Sequence, residues 1–479
     1  MNYTAINIGP ITSTFSLAKK PRELWSASYL FSHLMRSIIE SISTKATLIS
    51  PFFIEDNIKM GVGLYPDRAF FKSENGFEIN PLINSALNKF STETGIKKEI
   101  VEDYFNIMTV SFEAESDAKA ITNANEYLNY LELQNRIVNF DSEQSVVDLL
   151  KTKYKSPLFQ IALGSDEFPI ETLEEIAQTQ LQFPPEVKKK SHHNYICIVQ
   201  ADGDNMGKVF CSLPNGKSSE LSAQLMTFGK NACEIIKAYG GLPIYAGGDD
   251  LLFIAPVIGA KGEHIFNLVD YIDKEYGKIK QKVQEYNLTY KGKNIHTSMS
   301  YGISITYHKF PLYEAWAIAQ EQLFVKAKNV DKEKKNAVAW KLQKHSGSSV
   351  ECAFSKNEIT LYNSFKRIIQ SMASEELVSA VAHKIRSNDT LLSLWAGFPE
   401  EQLEYRIRCF FKNIIDVEGK SESSLIFMQE AEILLKESLK LLSVTENNQP
   451  DNSNIEQMLS SVYAMLRSAK FINGEEEKQ

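Results

Sequence analysis

The sequence predicts an α+β protein made of two strand-and-helix units followed by a helical bundle, and three observations carry that prediction. From about Tyr195 to Trp340 the hydrophobic pattern runs β-α-β-β-α-β, the ferredoxin-like order. The N-terminal 150 residues hold a second mixture of strand and helix patterns, and from about Ser349 onward apolar residues recur at helical spacing without strand signals. These shifts place boundaries at 1–150 for the first unit, 151–190 for a helical or linker segment, 191–345 for the second unit and 346–479 for the bundle.

Composition sets limits on function. With 479 residues, 43% hydrophobic and 23% charged, the chain can bury a large core divided among several domains. No run of about 18 apolar residues suggests a membrane span, and the first residues lack a basic segment followed by an apolar one, so a cytoplasmic location with no membrane partner is expected. Five scattered cysteines without a C-x-x-C pair argue against a disulfide framework and a structural zinc site. A net charge of −8 offers nucleic acid no global attraction, so any RNA contact needs a local basic patch or partner subunits.

The first unit opens with "INIGPITSTFSLAKKPRELWSASYLFSHLMRSIIE", a strand, a Gly-Pro turn and a helix whose Leu24, Ala27, Leu30, Phe31, Leu34 and Ile38 form one stripe. "ATLISPF" and "FNIMTVSFEA" read as strands, and "NPLINSALNKF" and "AKAITNANEYLNYLELQNR" as helices. No pair of acidic strand ends occurs among them. The "KKKSHHN" stretch before the second unit, with His192 and His193, reads as a solvated linker.

The second unit begins with "YICIVQA", a nearly continuous apolar run that reads as a buried central strand, which puts Asp202 and Asp204 at its C-terminal end. Leu221, Leu225, Phe228, Ala232, Ile235, Ile236 and Tyr239 then recur at helical spacing, ending at Gly240. The runs "LPIYA" and "LLFIAP" form a hairpin around Gly247, Gly248, Asp249 and Asp250. A periodic stretch from about Lys261 to Tyr286, the alternating strand "HTSMSYGISITY", the helix "PLYEAWAIAQEQLFVKAKNV" and the short strand "NAVAW" complete the unit.

Gly-Gly-Asp-Asp and Asp-Gly-Asp-Asn are both ordinary turn chemistry. They also suit a hard divalent cation, which takes one or two carboxylates and lets substrate phosphates fill the remaining positions. In the β-α-β-β-α-β order the first strand and the hairpin are neighbours, so the two acidic clusters meet at one sheet edge. Clustered carboxylates repel one another, and a cation relieves that cost. Two such ions can clamp a triphosphate and activate a hydroxyl, so nucleotidyl transfer with Mg²⁺ or Mn²⁺ is the chemistry expected. Asp202, Asp249 and Asp250 are the candidate catalytic residues and metal ligands. Asp204 either orients a metal-bound water or closes the turn, and Gly247 and Gly248 allow close backbone approach to phosphates.

"ADGDNMGK", "YAGGDD", "SMSYGI", "KFPLYEA" and "KAKN", in that order, resemble the catalytic palm domain of the large subunit of type III CRISPR effector complexes, most closely the Cmr-type (III-B) branch. The N-terminal segment resembles the first palm-like domain of the same family, which implies two ferredoxin-like palm domains holding two ATP molecules at their interface. The resemblance further implies that Lys328, within "KAKN", contacts phosphate and that Ser300 and Gly302 wall the site, with Lys208 a further nucleotide contact. It implies a subunit of an RNA-guided complex, with other Cmr-type subunits, guide crRNA and target RNA as partners, that makes cyclic oligoadenylate from ATP in antiviral defence. Two relatives of that reading are adenylation of S-adenosylmethionine at the same site and a catalytically silent scaffold; a diguanylate cyclase would carry Asp or Glu, Glu and Phe after Gly-Gly, where this chain has Asp-Asp-Leu. None of the eight histidines is followed by Asp, so no HD nuclease activity is expected.

Overall fold

The computed structural model describes residues 1–54, 61–133, 146, 157–163, 168, 170, 172–182, 187–396, 398–418, 421–442 and 452–474. The end of the helix expected over "AKAITNANEYLNYLELQNR" and residues 151–156, 164–167, 169, 171 and 183–186 of the 151–190 segment lie outside these residues. Strands β1 (Asn2–Gly9), β2 (Thr47–Ser50), β3 (Arg68–Ser73) and β4 (Asn106–Glu113) form an antiparallel sheet in the order β2-β3-β1-β4. This is the ferredoxin-like order, the first strand lying between the third and fourth. Strand β3 is absent from the sequence expectation. Its six residues, "RAFFKS", are too few for alternation to stand out, yet Ala69 and Phe71 are wholly buried.

The Pro21–Ser43 helix starts with proline at its first position, where the missing N–H costs nothing. It buries the expected apolar stripe, but Ser26, Ser28, Ser32, His33, Arg36 and Ser37 on its other sides are buried too. The cause is its position, packed on the Asn80–Thr94 helix and also against the second sheet. Gly63 lies so close to this helix that a Cβ there would meet the Ser28 Oγ at 2.8 Å. At the same place the Ala246 amide donates to the Gly63 carbonyl at 2.8 Å, joining the first unit to the edge of the second sheet.

The second sheet contains β5 (Tyr195–Gly203), β6 (Leu242–Gly247), β7 (Asp250–Pro256), β10 (Met299–Tyr307), β11 (Ala337–Gln343) and β12 (Ser349–Ser355), in the order β12-β11-β10-β5-β7-β6. A small hairpin, β8 (Thr289–Tyr290) and β9 (Lys293–Asn294), stands apart. β11 runs parallel to β10, and the other neighbours are antiparallel. The run β6-β7-β5-β10 repeats the ferredoxin-like order found in the first sheet. Strand β12 corrects the expectation of helices alone beyond Ser349. Val350, Cys352 and Phe354 alternate with polar or small residues, and Cys352 and Phe354 are buried.

Helices cover both faces of this sheet, which is why β10 is buried almost throughout. Tyr301 faces the Ile265–Glu285 helix, its hydroxyl donating to Asp273 Oδ1 at 2.9 Å. The next residue, Gly302, faces the opposite way, where a Cβ would lie 2.2 Å from the Ala319 carbonyl and 2.3 Å from the Leu323 amide. Only glycine lets the Leu312–Gln320 helix sit directly on the strand backbone. That helix widens into a π-helical stretch, Glu321–Ala327, before the final short turn Lys328–Val330. The Ile359–Gln370, Glu375–Arg386, Asp389–Ser393, Glu400–Glu418, Glu422–Leu442 and Asn452–Asn473 helices form the C-terminal part. Trp340 ties them to the sheet: it is fully buried, stacks on Phe365 and donates through Nε1 to Ser468 Oγ at 2.9 Å. Truncating such a buried aromatic typically costs about 3–5 kcal/mol.

The five cysteines are free, and no helix among the described residues is long and apolar enough to cross a membrane. The histidine stretch before β5 is not a solvated linker. It folds into a short 3₁₀ turn, Ser191–Asn194, held where Lys190 Nζ donates to the Asn473 carbonyl at 2.8 Å, and His192 and His193 are 3% and 0% exposed. Burial lowers His192 to a pKa of about 3 and His264, at the start of the Ile265–Glu285 helix, to about 4. Both are therefore neutral in the folded chain and take up protons on unfolding. Folded values below the ordinary 6.5 mean that this stabilisation is present above about pH 6.5 and is lost as pH falls toward 4. Denaturant melts at pH 7.5, 6 and 5 should show wild type losing up to about 1.4 kcal/mol per pH unit per histidine relative to His192→Phe/His264→Phe. Equal pH slopes in the two proteins would refute the assignment.

Candidate functional site

Three strands end together at one edge of the second sheet. β5 pairs with β7 through Ala201↔Leu251 and with β10 through Ser300↔Asp202. The end of β5, the β6–β7 hairpin and the start of β10 thus share one end, and Asp202, Asp249, Asp250 and Ser300 come together there. Gly247 pairs with Asp250 across a two-residue turn in which Gly248 has φ +68°, a left-handed conformation that favours glycine. Gly247 is required for a different reason: a Cβ there would lie 2.0 Å from the Tyr245 hydroxyl oxygen. A Cβ on Gly203 would likewise lie 2.7 Å from Asp249 Oδ2, so the Asp249 side chain folds over the end of β5. The Gly203 amide donates to the Asp249 carbonyl at 3.2 Å and fixes that contact.

The result is a concentration of negative charge. Burial, then the nearby Asp202, raise Asp249 to a pKa of about 7, with Lys328 acting in the opposite sense. Asp250 is pushed well above the usual carboxylate range by burial, by Asp202 and by Asp249, with a further contribution from Asp67 of the first unit. Carboxylates held in this way are poised to gain a cation.

Asp204 has another task. It is fully buried, and its carboxylate accepts hydrogen bonds from Ser298 Oγ at 2.6 Å, Ser300 Oγ at 2.9 Å, the Asn336 amide at 3.0 Å and Lys328 Nζ at 2.7 Å. Its own amide and carbonyl are engaged by the Ser298 carbonyl and the Thr297 hydroxyl. Of the two roles open to it, closing and bracing the turn is the one this geometry favours. Ser300 turns its hydroxyl onto Asp204, and Gly302 accommodates the helix behind the sheet, so neither faces the acidic edge as a wall residue.

Lys328 sits between the acidic groups. Its ammonium bonds the Asp202 carboxylate, the Asp202 carbonyl at 3.0 Å and Asp204. Burial disfavours its charge, but Asp202 and Asp204 more than offset this and raise its pKa. Lys208 is exposed on the Met206–Ser212 helix and donates to Asn205 Oδ1 at 3.0 Å. Sequence reasoning missed Lys335. Burial, then Lys328, lower its pKa, and the fields of Asp204, Asp202 and Lys208 also reach it. With φ +51° at Lys335 and +56° at Asn336, it occupies a left-handed turn just before β11. In the sequence it is one lysine of a charged run that reads as a solvated turn.

Among the described residues no three His, Cys, Asp or Glu side chains are gathered closely enough to enclose a metal ion on their own. The donors instead suit Mg²⁺ or Mn²⁺ held by a pair of carboxylates with phosphate oxygens completing the coordination. Asp249 and Asp250, both raised by burial and by Asp202, are the groups whose chemistry fits such an ion.

Comparison with known proteins agrees with this architecture. Residues 195–339 match the family model described as Cas10/Cmr2, second palm domain, and residues 3–102 match that of the CRISPR-associated protein Cmr2, N-terminal. The CRISPR system Cmr subunit Cmr2 of Pyrococcus furiosus is 32% identical over 180 residues, covering 32% of this chain and 19% of that protein. The chain thus matches less than a fifth of that relative's length. Among solved structures, a chain of the type III-B Cmr-beta complex in its apo state superposes with a TM-score of 0.55 at 11% identity, covering 98% of this chain and 82% of the other. A chain of the Csm1–Csm4 cassette in complex with cA4 gives 0.51 at 11% identity, covering 91% and 69%. At such identities these two likenesses concern the fold.

The two kinds of aspartate should respond in opposite ways to truncation. Asp204→Ala leaves the Lys328 ammonium and two serine hydroxyls without their buried acceptor, and should cost about 3–5 kcal/mol in a denaturant melt. Asp249→Ala removes a carboxylate crowded by like charge, and without divalent ions should leave stability unchanged or higher. Equal losses for both would contradict this division of roles.

Proposed function

We propose, from the premise that the chain belongs to the Cas10/Cmr2 family of type III CRISPR large subunits, that its second palm domain is a metal-dependent nucleotidyltransferase that joins ATP into cyclic oligoadenylate. The observation that carries the proposal is the convergence of Asp202, Asp249 and Asp250 at one strand edge beside Lys328. The Csm1–Csm4 cassette, which shares the fold, has been solved with cA4 bound, and this supports the same product class. The proposed setting is a cytoplasmic complex with other Cmr-type subunits, guide crRNA and target RNA, the last acting as activator in antiviral defence.

Asp202, Asp249 and Asp250 would hold the divalent ions. When bound, such ions clamp a triphosphate and favour ionisation of the attacking ribose hydroxyl. Lys328 pairs with Asp202, and its ammonium is positioned to turn toward phosphate once that carboxylate gains a metal partner. Lys335 and Lys208 add positive charge on the same side, which favours the donor triphosphate and the pyrophosphate it releases. Asp204 acts as a positioning residue, keeping Lys328 and the β5 turn fixed in every step. Transfer then joins a 3′ hydroxyl to the α-phosphorus in line and expels pyrophosphate. S-adenosylmethionine as acceptor has no support in these relatives.

The test is product analysis by mass spectrometry after assembly with co-encoded partners, guide and matching target RNA, with Mg²⁺ or Mn²⁺ and ATP. Oligoadenylates are expected, with yield falling by at least about 100-fold in Asp249→Ala/Asp250→Ala. No nucleotide product from wild type under either metal would refute the proposal and favour a scaffold role.

A further inference from the structure

A cavity of about 580 Å³ lies at the opposite end of β5 from the acidic edge. The strand separates the two by roughly 25 Å, at about 3.3 Å per residue. The cavity is bounded by the turn that precedes β5, the start of the Ile265–Glu285 helix, the end of the Ile359–Gln370 helix and the last residues of the Asn452–Asn473 helix. Its volume falls in the range of small-molecule pockets, roughly 300–1,000 Å³.

Its walls include polar groups that lack partners. His192 and His264 are 3% and 4% exposed; the Ile472 backbone approaches the first ring and the Asn267 amide the second, but no ring nitrogen of either reaches full hydrogen-bond geometry with a described residue. Asn473 Nδ2 is buried in the same condition. The neighbouring His193 shows that this is not a general property of the stretch: its Nδ1 accepts from the Lys190 amide at 2.8 Å and its Nε2 pairs with Gln180 Oε1 at 2.8 Å. Buried polar groups are nearly always satisfied, so two orphaned imidazoles and an amide around one cavity point to an occupant.

The chemistry of the walls narrows the class of occupant. A neutral imidazole offers one donor and one acceptor, and the Asn473 amide adds a donor. A wholly anionic ligand would meet the N–H donors but leave the imidazole lone pairs unused, and an apolar ligand would satisfy none of these groups. A flat heterocycle carrying both amino and ring-nitrogen groups on its edge satisfies all three. Lys188 and Lys190 at the boundary suit a phosphate, and Glu263, which accepts from Tyr271 Oη at 3.3 Å, suits a ribose diol. We infer that this cavity is a second ligand site, for a purine mononucleotide, distinct from the acidic edge and independent of divalent metal. An occupant there touches the second palm and the C-terminal helices together, so it braces one against the other.

The test is equilibrium dialysis of AMP against the full chain carrying Asp249→Ala/Asp250→Ala, in EDTA, which disables the acidic edge. One AMP per chain is expected, with at least tenfold weaker binding in His264→Leu and in Gln370→Trp, the second blocking the cavity from an exposed position. Gln370→Trp decides the matter if His264→Leu folds poorly, as read from its far-ultraviolet circular dichroism. Adenosine should bind more weakly than AMP, and inorganic phosphate alone should not compete at equal concentration. Absence of AMP binding in EDTA, or binding that Gln370→Trp leaves unchanged, would overturn the inference and identify a water-filled cavity. Neither result bears on oligoadenylate synthesis, which is read with metal present at the other end of the strand.

Discussion

The end of the central strand depends on one half-buried ion cluster, Lys328 with Asp202 and the fully buried Asp204. Taking an ammonium and a carboxylate out of water is costly, and such a pair holds only when hydrogen bonds satisfy the remaining positions. Asp204 meets that condition with Ser298, Ser300 and the Asn336 amide. These partners come from the start of β10 and the turn before β11, so the cluster joins three separate chain segments to the β5 turn. The π-helical stretch Glu321–Ala327, resting on Gly302, ends directly at Lys328 and sets the height from which its side chain descends. The geometry of the acidic edge is in this sense built from behind, by groups that bond to Asp204 and Asp202 and not to Asp249 or Asp250.

Two kinds of aspartate therefore share one short region. Asp204 is saturated by protein donors and belongs to the framework. Asp249 and Asp250 are crowded by burial and by like charge, and that unrelieved repulsion is what marks a site for cations. Asp202 belongs to both groups, since its carboxylate pairs with Lys328 while its field raises the other two. This sharing ties Lys328 to the framework and to the acidic pair at once.

Much of the second unit was legible in the sequence because its strands are apolar and bounded by strong turn residues. "YICIVQA" and the Gly247–Asp250 turn identify the edge, and the β-α-β-β-α-β order brings them together. What escaped was short or non-local. Strand β3 has only six residues, and β12 follows a loop after which helical periodicity dominates. The roles of Ser300 and Gly302 depend on which face of β10 each occupies and on what packs there, information held in the fold and not in their spacing. Lys335 is hidden in a charged run because only the left-handed turn at Lys335 and Asn336 aims it toward the site. His192 and His193 look solvated beside three lysines, and only the docking of the last helix buries them.

The amide of Ala246 bonded to the carbonyl of Gly63 has a mechanical meaning. Through it, the segment leading into β3 of the first palm acts as one more rung on the edge of β6, the strand that runs straight into Gly247 and the acidic turn. Asp67, four residues beyond Gly63, adds its field to Asp250. The first unit and the acidic tip are thus linked twice, once through a backbone hydrogen bond on the strand that leads into the turn and once through charge, so the tip is not the property of the second palm alone.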